Sequence, residues 1–337
     1  MRASAGGLLL CLFLSGCGRY ADFTLPQPAS ANAQVRYRWQ PRESPVLTHG
    51  DVGSWDSHDV LNPSIVRRQS GYYNLYSGFD GRIWRTGLAT SADGLIWHKE
   101  GPVLAPDAQA GEGDYIAANG AALLDGDQFW YWYQAGDKEM PRLGLARAHD
   151  ARHWRKSPFP VMDTGPRGSW DERGVADPYV IKVQGYFYLY YLGQDRAHRQ
   201  RLGVARSRDG EHWEKLRTNP ILEPGPYGSF DEMGLGEPAV WIGYGYYWML
   251  YTGRDARENR RLGMARSSDG VHWQKLATVM AGPPPWAGKV ICDPTIEVLD
   301  GTLAVWFGGG DRASPDENLD GQIGVAVLEA VESGKMK

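Results

Sequence analysis

Apolar positions in this chain alternate over short runs, and turn residues punctuate them every eight to ten positions. The stretch 177–216 is typical. Asp177 to Val183 alternates toward a Gln184-Gly185 turn, and Tyr186 to Leu192 is aromatic. Leu202 to Ser207 follows, then Asp209-Gly210 turns into His212 to Leu216. Period-two runs bounded by Gly and Asp are strand signals, and no segment carries a sustained helical period. Four strands in roughly sixty residues read as one blade of a β-propeller.

The unit repeats. Trp39, Trp97, Trp154, Trp213 and Trp273 recur at intervals of 58, 57, 59 and 60. Three of them close the phrase Ser-x-Asp-Gly-x-x-Trp, beginning at Ser91, Ser207 and Ser267; the copy with Ala148, Asp150, Ala151 and Trp154 is degenerate. A Gly also recurs two residues before an Ala at Gly87, Gly144, Gly203, Gly263 and Gly324. A fixed period of this kind is the signature of a repeat architecture. The pattern predicts an all-β, five-bladed propeller over 35–337. The fifth copy lacks its last strand, and Val35 to Gln40, which carries Trp39, supplies it and closes the ring. Closure removes the exposed sheet edges of an open array.

The repeat sorts structural positions from chemical ones. The Asp and Gly of the repeated phrase suit a tight turn and its Trp suits packing. Another set keeps polarity while changing identity: Asn62, Asn119, Asp177, Glu237 and Asp293, spaced by 57, 58, 60 and 56. Each stands where an innermost strand is expected to begin, so the five form a ring of two amides and three carboxylates around the axis. Like charges gathered there raise at least one carboxyl pKa, while hydrogen bonds hold another ionised. Glycoside hydrolysis needs that split, one acid for the leaving oxygen and one carboxylate for water or carbon. The plainer reading is that Asp-Pro and Asn-Pro only shape strand entrances. Glu237 is the expected acid, with Asp177 or Asp293 as base or nucleophile; Asp59 is a weaker candidate.

A second set, Asp80, Asp137, Asp195, Asp255 and Asp311, lies 18 residues after each ring position and reads as turn-forming. Arg254, close to one of these, is a candidate for sugar hydroxyls. Trp55, Trp170, Phe230 and Trp286 each precede a ring position by seven residues. They serve either as sugar platforms or as loop packing. The loop after Asp311, through Pro315, Glu317 and Asn318, is the longest of its kind and a candidate for specificity.

The phrases and the Asp-Pro and Glu-Pro pairs resemble the arabinanase, levansucrase and invertase superfamily, and the chain is similar to glycoside hydrolase family 43. The resemblance covers the chain from Val35 onward. It implies cleavage of furanosides or xylosides by carboxylates around an axial funnel, often beside a bound cation. The chain departs from the pattern. Family 43 enzymes use Asp, Asp and Glu in the first three blades, where Asn62, Asn119 and Asp177 stand here. Leu61-Asn62-Pro63-Ser64 replaces the invertase-type Asn-Asp-Pro-Asn.

Three functions remain: a glycoside hydrolase, a phosphorylase of the related mannoside-acting type using Arg254, Arg257, Arg260 and Arg261 for phosphate, and a non-catalytic glycan-binding protein. Net charge is -4, from 36 basic and 40 acidic residues, with no basic run, which argues against nucleic acid. No spacing suits zinc. No cofactor is required, although oxygen ligands on the axis are compatible with calcium.

The N-terminus carries its own signal. Arg2 precedes an apolar run from Leu8 to Leu14, then Leu14-Ser15-Gly16-Cys17. This is the layout of a bacterial secretory signal (residues 1–16) with Cys17 as the lipidated residue; an ordinary signal cleaved near Ala21 is the alternative. Residues 17–34 then read as a flexible tether, and the expected state is a monomer anchored by lipid in the cell envelope. Cys292 is given no chemical role.

Overall fold

The computed structural model describes residues 20–29, 35–69, 71–280, 282–299 and 302–332. The signal sequence and Cys17 lie outside them. Two strands precede the repeats, β1 (Tyr20–Ala21) and β2 (Val35–Pro41). Blade one comprises β3 (Asp59–Arg68), β4 (Gly71–Phe79), β5 (Trp84–Ser91) and β6 (His98–Leu104). Blade two comprises β7 (Ile116–Asp125), β8 (Gln128–Asp137), β9 (Met140–Ala148) and β10 (Arg155–Lys156). Blade three holds β11 (Gly174–Val183), β12 (Tyr186–Gln194), β13 (Gln200–Ser207) and β14 (Glu214–Leu216), and blade four β15 (Gly234–Gly243), β16 (Tyr246–Arg254), β17 (Arg260–Ser267) and β18 (Gln274–Val279). Blade five has β19 (Val290–Leu299), β20 (Thr302–Gly310) and β21 (Gln322–Glu332). Its fourth strand is β2, antiparallel to β21 from Val35 opposite Glu332 to Pro41 opposite Ala326. The ring closes as the repeat implies.

The repeated phrase builds seams between blades. Asp93 Oδ1 accepts the amides of Leu95 and Ile96, and the following Gly94 takes φ +72°. The carbonyl of Gly94 then accepts the buried indole of Trp306 from blade five, and Gly210 does the same for Trp132 of blade two. A Cβ at Gly94 would lie 2.7 Å from the Trp306 ring, so glycine is required there twice over, by conformation and by space.

The approach-loop aromatics complete a second repeated contact. A Cβ at Gly87 would meet Trp55, at Gly203 Trp170, at Gly263 Phe230 and at Gly324 Trp286, each within 2.7 Å. The recurring Gly and the recurring aromatic are two halves of one joint. Next to each ring in blades one, three and four sits a buried carboxylate: Asp56, Asp171 and Asp231. These receive the ammonium groups of Lys99, Lys215 and Lys275 and the phenols of Tyr76, Tyr191 and Tyr251. Blade two substitutes Glu112, with Lys156 and Tyr133, at the position of the missing aromatic.

The tether expectation is corrected for residues 20–28. β1 runs parallel to β14, Phe23 packs on Tyr188, and Leu25 is 2 % exposed against the turn at Gly270. The Leu25 amide donates to Asp269 O at 2.7 Å and the Tyr247 hydroxyl to Pro26 O at 2.6 Å. The Pro and Ala content suggests a solvated linker, but two apolar side chains with a groove to fill outweigh it. β1 also covers the edge of blade three.

Candidate active site

The five ring residues do not begin their strands. Each lies three residues inside, at a break in register where β3, β7, β11, β15 and β19 bulge. All five adopt left-handed backbone: Asn62 φ +48°, Asn119 +48°, Asp177 +47°, Glu237 +49° and Asp293 +51°. Left-handed conformation is costly for Asp and Glu, and five-fold repetition of the cost marks a position over-determined by the fold. The bulge turns these side chains toward the axis.

It also aims the backbone. The Asn62 amide donates to Asp293 Oδ2 at 3.3 Å, and the Asp293 amide donates to Glu237 Oε2 at 3.4 Å. The Glu237 amide faces Asp177 in the same sense. Blades three, four, five and one are thus linked head to tail, each carboxylate accepting from the next ring residue. In blades one and two the circuit changes hands, with Ser77 Oγ receiving the Asn119 amide at 2.9 Å and donating to Asn119 Oδ1 at 3.0 Å.

The ring forms the floor of a cavity of about 310 Å³. Beneath it the axis continues only as a gap of about 30 Å³ lined by the same residues and their successors. The larger volume sits at the low end of the range for ligand pockets. Asn62, Asn119, Asp177, Glu237, Asp293 and Arg254 all line it. Sequence reasoning placed these six together.

Trp55, Trp170, Phe230 and Trp286 are not among the lining residues. Their rings are spent on the glycines of the blades, so the platform expectation is replaced by packing. Asp80, Asp195 and Asp255 cap the amides of their own turns, as expected. Asp59 is no reactant either: it is fully buried and accepts the amides of Asn318, Leu319 and Gly321.

Electrostatics divide the carboxylates. Asp177 is half-buried and lines the cavity; burial and the neighbouring Glu237 push it up to about 8, against the pull of Arg260. Asp293 is likewise pushed well above the carboxylate range by burial, with Glu237 adding to it. Cys292, fully buried, donates to Asp293 Oδ2 at 3.1 Å, and burial drives its thiol far up. Room for this pair exists because blade five has Gly308 opposite: a Cβ there would lie 2.7 Å from Asp293 Oδ2.

Arg260 is the cation of the site, buried and in the field of Glu237, Asp293 and Cys292. Burial works against its charge, and those neighbours more than offset that. The sequence listed it only within a basic cluster; its place on the funnel wall, equivalent to Trp84, Pro141 and Gln200 at the start of each third strand, follows from register. Thr252, two residues before Arg254 on β16, is a lining residue that the sequence did not single out. Thr252 and Arg254 line the cavity, and their Oγ1 and Nε atoms are buried with no protein partner.

Among the described residues, one group of cation-ligating side chains forms: Glu237, Cys292 and Asp293. Calcium requires six to eight oxygen ligands. The set offers two carboxylates and a thiol in the field of the Arg260 guanidinium, which does not fit calcium.

A closed propeller with acids and amides converging on one axial cavity is the architecture of glycan-cleaving enzymes. The sequence profile of the glycosyl hydrolases family 32 N-terminal domain matches residues 70–282, and the chain belongs to that family. A 1,2-beta-oligomannan phosphorylase of Thermoanaerobacter is 26% identical over 295 residues, covering 68% of this chain and 95% of the relative. A solved glycoside hydrolase superposes with TM-score 0.69 at 16% identity, over 90% of this chain and 95% of its own. Another similar structure is described as belonging to the GH130 family of mannoside phosphorylases, which contains glycoside hydrolases that target beta-1,2 mannosidic linkages. Its TM-score is 0.67 at 18% identity, over 91% and 96% of the two chains. These two likenesses establish the fold.

Proposed function

We propose that this protein cleaves glycosidic bonds at the floor of its axial funnel, by hydrolysis, with Asp177, Glu237 and Asp293 as its acid/base set. The observation that carries the reading is the convergence of these carboxylates on one cavity, where burial and the neighbouring Glu237 raise Asp177 and Asp293 above the carboxylate range. The acid role passes from Glu237 to Asp177. With a carboxyl near 8, Asp177 retains its proton at neutral pH and can give it to the leaving oxygen. Glu237, in the field of Arg260 and hydrogen-bonded through Oε2, is placed to activate water or attack carbon. Asp293 donates its amide to Glu237 Oε2 and so orients that carboxylate. Asn62, Asn119, Thr252 and Arg254 supply hydrogen bonds to sugar hydroxyls.

Likeness to an oligomannan phosphorylase raises phosphate as the alternative acceptor. The arginines speak for water. Arg260 donates to the carbonyls of Ser314 and Pro315, Arg261 to those of Gly288, Lys289 and Arg260, and Arg254 pairs with Glu258. Arg260 and Arg261, already committed to backbone carbonyls, are poor members of a phosphate cradle.

The test is a pH–rate profile on β-1,2-mannooligosaccharides, β-fructofuranosides and aryl glycosides. The wild type is expected to lose kcat/KM above a limb near pH 8, because deprotonated Asp177 has no proton to give. Asp177→Asn is expected to lower kcat by about 10²–10⁴-fold and to remove that limb, in line with the worth of a positioned acid. A limb that survives in Asp177→Asn contradicts the assignment.

A further inference from the structure

The five connections between second and third strands are unequal. They occupy 80–83, 138–139, 195–199 and 255–259 in the first four blades, and 311–321 in the fifth. That last segment is a strap with attachments on several blades. Its root is fixed by blade one, where Asp59 accepts three consecutive-region amides: Asn318 at 2.6 Å, Leu319 at 3.0 Å and Gly321 at 2.8 Å. Its middle is fixed by blade four, where Arg260 donates to Pro315 O at 2.7 Å and Ser314 O at 3.2 Å, and Arg254 reaches Pro315 O at 3.5 Å.

Its tip crosses the rim to blade two. Glu317 Oε2 accepts the Tyr115 hydroxyl at 3.0 Å, and Glu317 Oε1 accepts from Lys138 Nζ at 2.9 Å, with Asp316 at 3.4 Å from the same ammonium. The phenol is pushed up to about 12 by burial and by the facing carboxylate, so it stays a donor. Pro315, Asp316, Glu317, Tyr115 and Lys138 all line the funnel. Blades one, two, four and five are thereby bridged. Among the described residues, no hydrogen bond or ion pair joins the strap to blade three, where Gln194, His198 and Gln200 line the open wall. A chain cleaved in its middle needs a groove open at two sides. Here the strap ties blades one, two, four and five together and leaves the blade-three side unbridged among the described residues.

We propose that Glu317, latched by Tyr115 and Lys138, is a specificity-determining residue that restricts cleavage to the end of a glycan chain: the terminal sugar sits under the strap and the rest of the chain leaves over blade three. This rests on the glycan-cleaving reading above. The latch is adjustable by design. Its root is a buried carboxylate with three amide bonds, whereas its tip is an ion pair with a substantially exposed lysine, a weak class of interaction. The strap therefore opens at the tip while its root holds. Asn318 and Asp320, at φ +65° and +58°, flank Leu319 at that root.

Two readouts test this. The first is product analysis on reducing-end-labelled β-1,2-mannotetraose, or on whichever panel glycan the wild type turns over. The wild type is expected to release one terminal sugar per event. Glu317→Gln and Lys138→Met are expected to release internal fragments as well, with KM raised severalfold and kcat changed less, while Lys138→Arg keeps the wild-type pattern. Internal cleavage by the wild type, or a terminal-only pattern at unchanged KM in both variants, overturns the proposal. The second readout needs no turnover. Amide hydrogen exchange across 311–321 is expected to quicken at least several-fold in Lys138→Met, and unchanged exchange there shows that no latch exists. Wild-type inactivity across the panel contradicts the hydrolase reading itself, and the exchange result then decides the strap by itself.

Discussion

At the residue scale, the site depends on a conformation that side chains dislike. Asp177, Glu237 and Asp293 sit in left-handed backbone so that each carboxylate can accept the amide of the next blade. Their positions were legible because the repeat aligned them; the bulge was not, since nothing in Asp-Pro or Glu-Pro spells a positive φ. Burial has a thermodynamic consequence. The folded state holds a proton on Asp177 up to about 8, whereas the unfolded chain releases it near 3.8. Between those values the native state binds more protons, so this site makes stability fall as pH rises from about 4 to about 8. Asp293 acts in the same direction, and Glu297, pushed by burial up to about 7, adds to the fall below that pH. Asp177→Asn is expected to flatten the decline, read as a smaller loss of melting temperature between pH 5 and 8 than in the wild type. An unchanged slope removes Asp177 as a buried proton carrier.

At the element scale, each blade is tied together by paired signals that the sequence displays separately. In every blade but the second, the Gly of the third strand and the aromatic seven residues before the ring position belong to one contact, hidden in the sequence because a strand supplies one partner and a distant approach loop the other. Trp170 illustrates it: its ring covers Gly193 and Gly203 and lies tilted against Tyr191. Trp170→Ala is expected to cost about 3–5 kcal/mol, as large-to-small changes at packed aromatics do. KM should stay near the wild-type value, because the ring is not on the funnel wall. Denaturant unfolding and steady-state kinetics measure both; a stable variant with a large rise in KM restores the sugar-platform role. The strap belongs here too. Its length was visible in the sequence, but its attachments to Asp59, Arg260 and Lys138 span blades and leave no local trace.

At the scale of the whole molecule, the ring and the chain ends are one problem. β2 closes blade five, as the missing strand demanded, and residues 20–28 lie against blades three and four. The composition of 21–34 as a whole, rich in Pro, Ala, Ser and Gln, hides the two apolar residues, Phe23 and Leu25, that do the binding. We also propose that Cys17 carries a lipid anchor, supported by the apolar run Leu8 to Leu14 and the Leu14-Ser15-Gly16-Cys17 sequence. With Tyr20 already seated on Lys215 of β14, such an anchor would hold blade three close to the membrane. Cys17→Ser is expected to move the protein from the membrane fraction to the soluble fraction of the cell envelope; retention at the membrane contradicts the anchor.

The central claim, that these carboxylates break glycosidic bonds with water, is tested most directly by comparing the wild type with Glu237→Gln on the oligosaccharide panel in phosphate-free buffer, with binding followed by calorimetry. The account predicts turnover by the wild type without phosphate, and in Glu237→Gln a rate at least about 10²-fold lower with binding retained, the loss expected for a positioned carboxylate. Binding without turnover by the wild type, or equal rates in the two proteins, would contradict it.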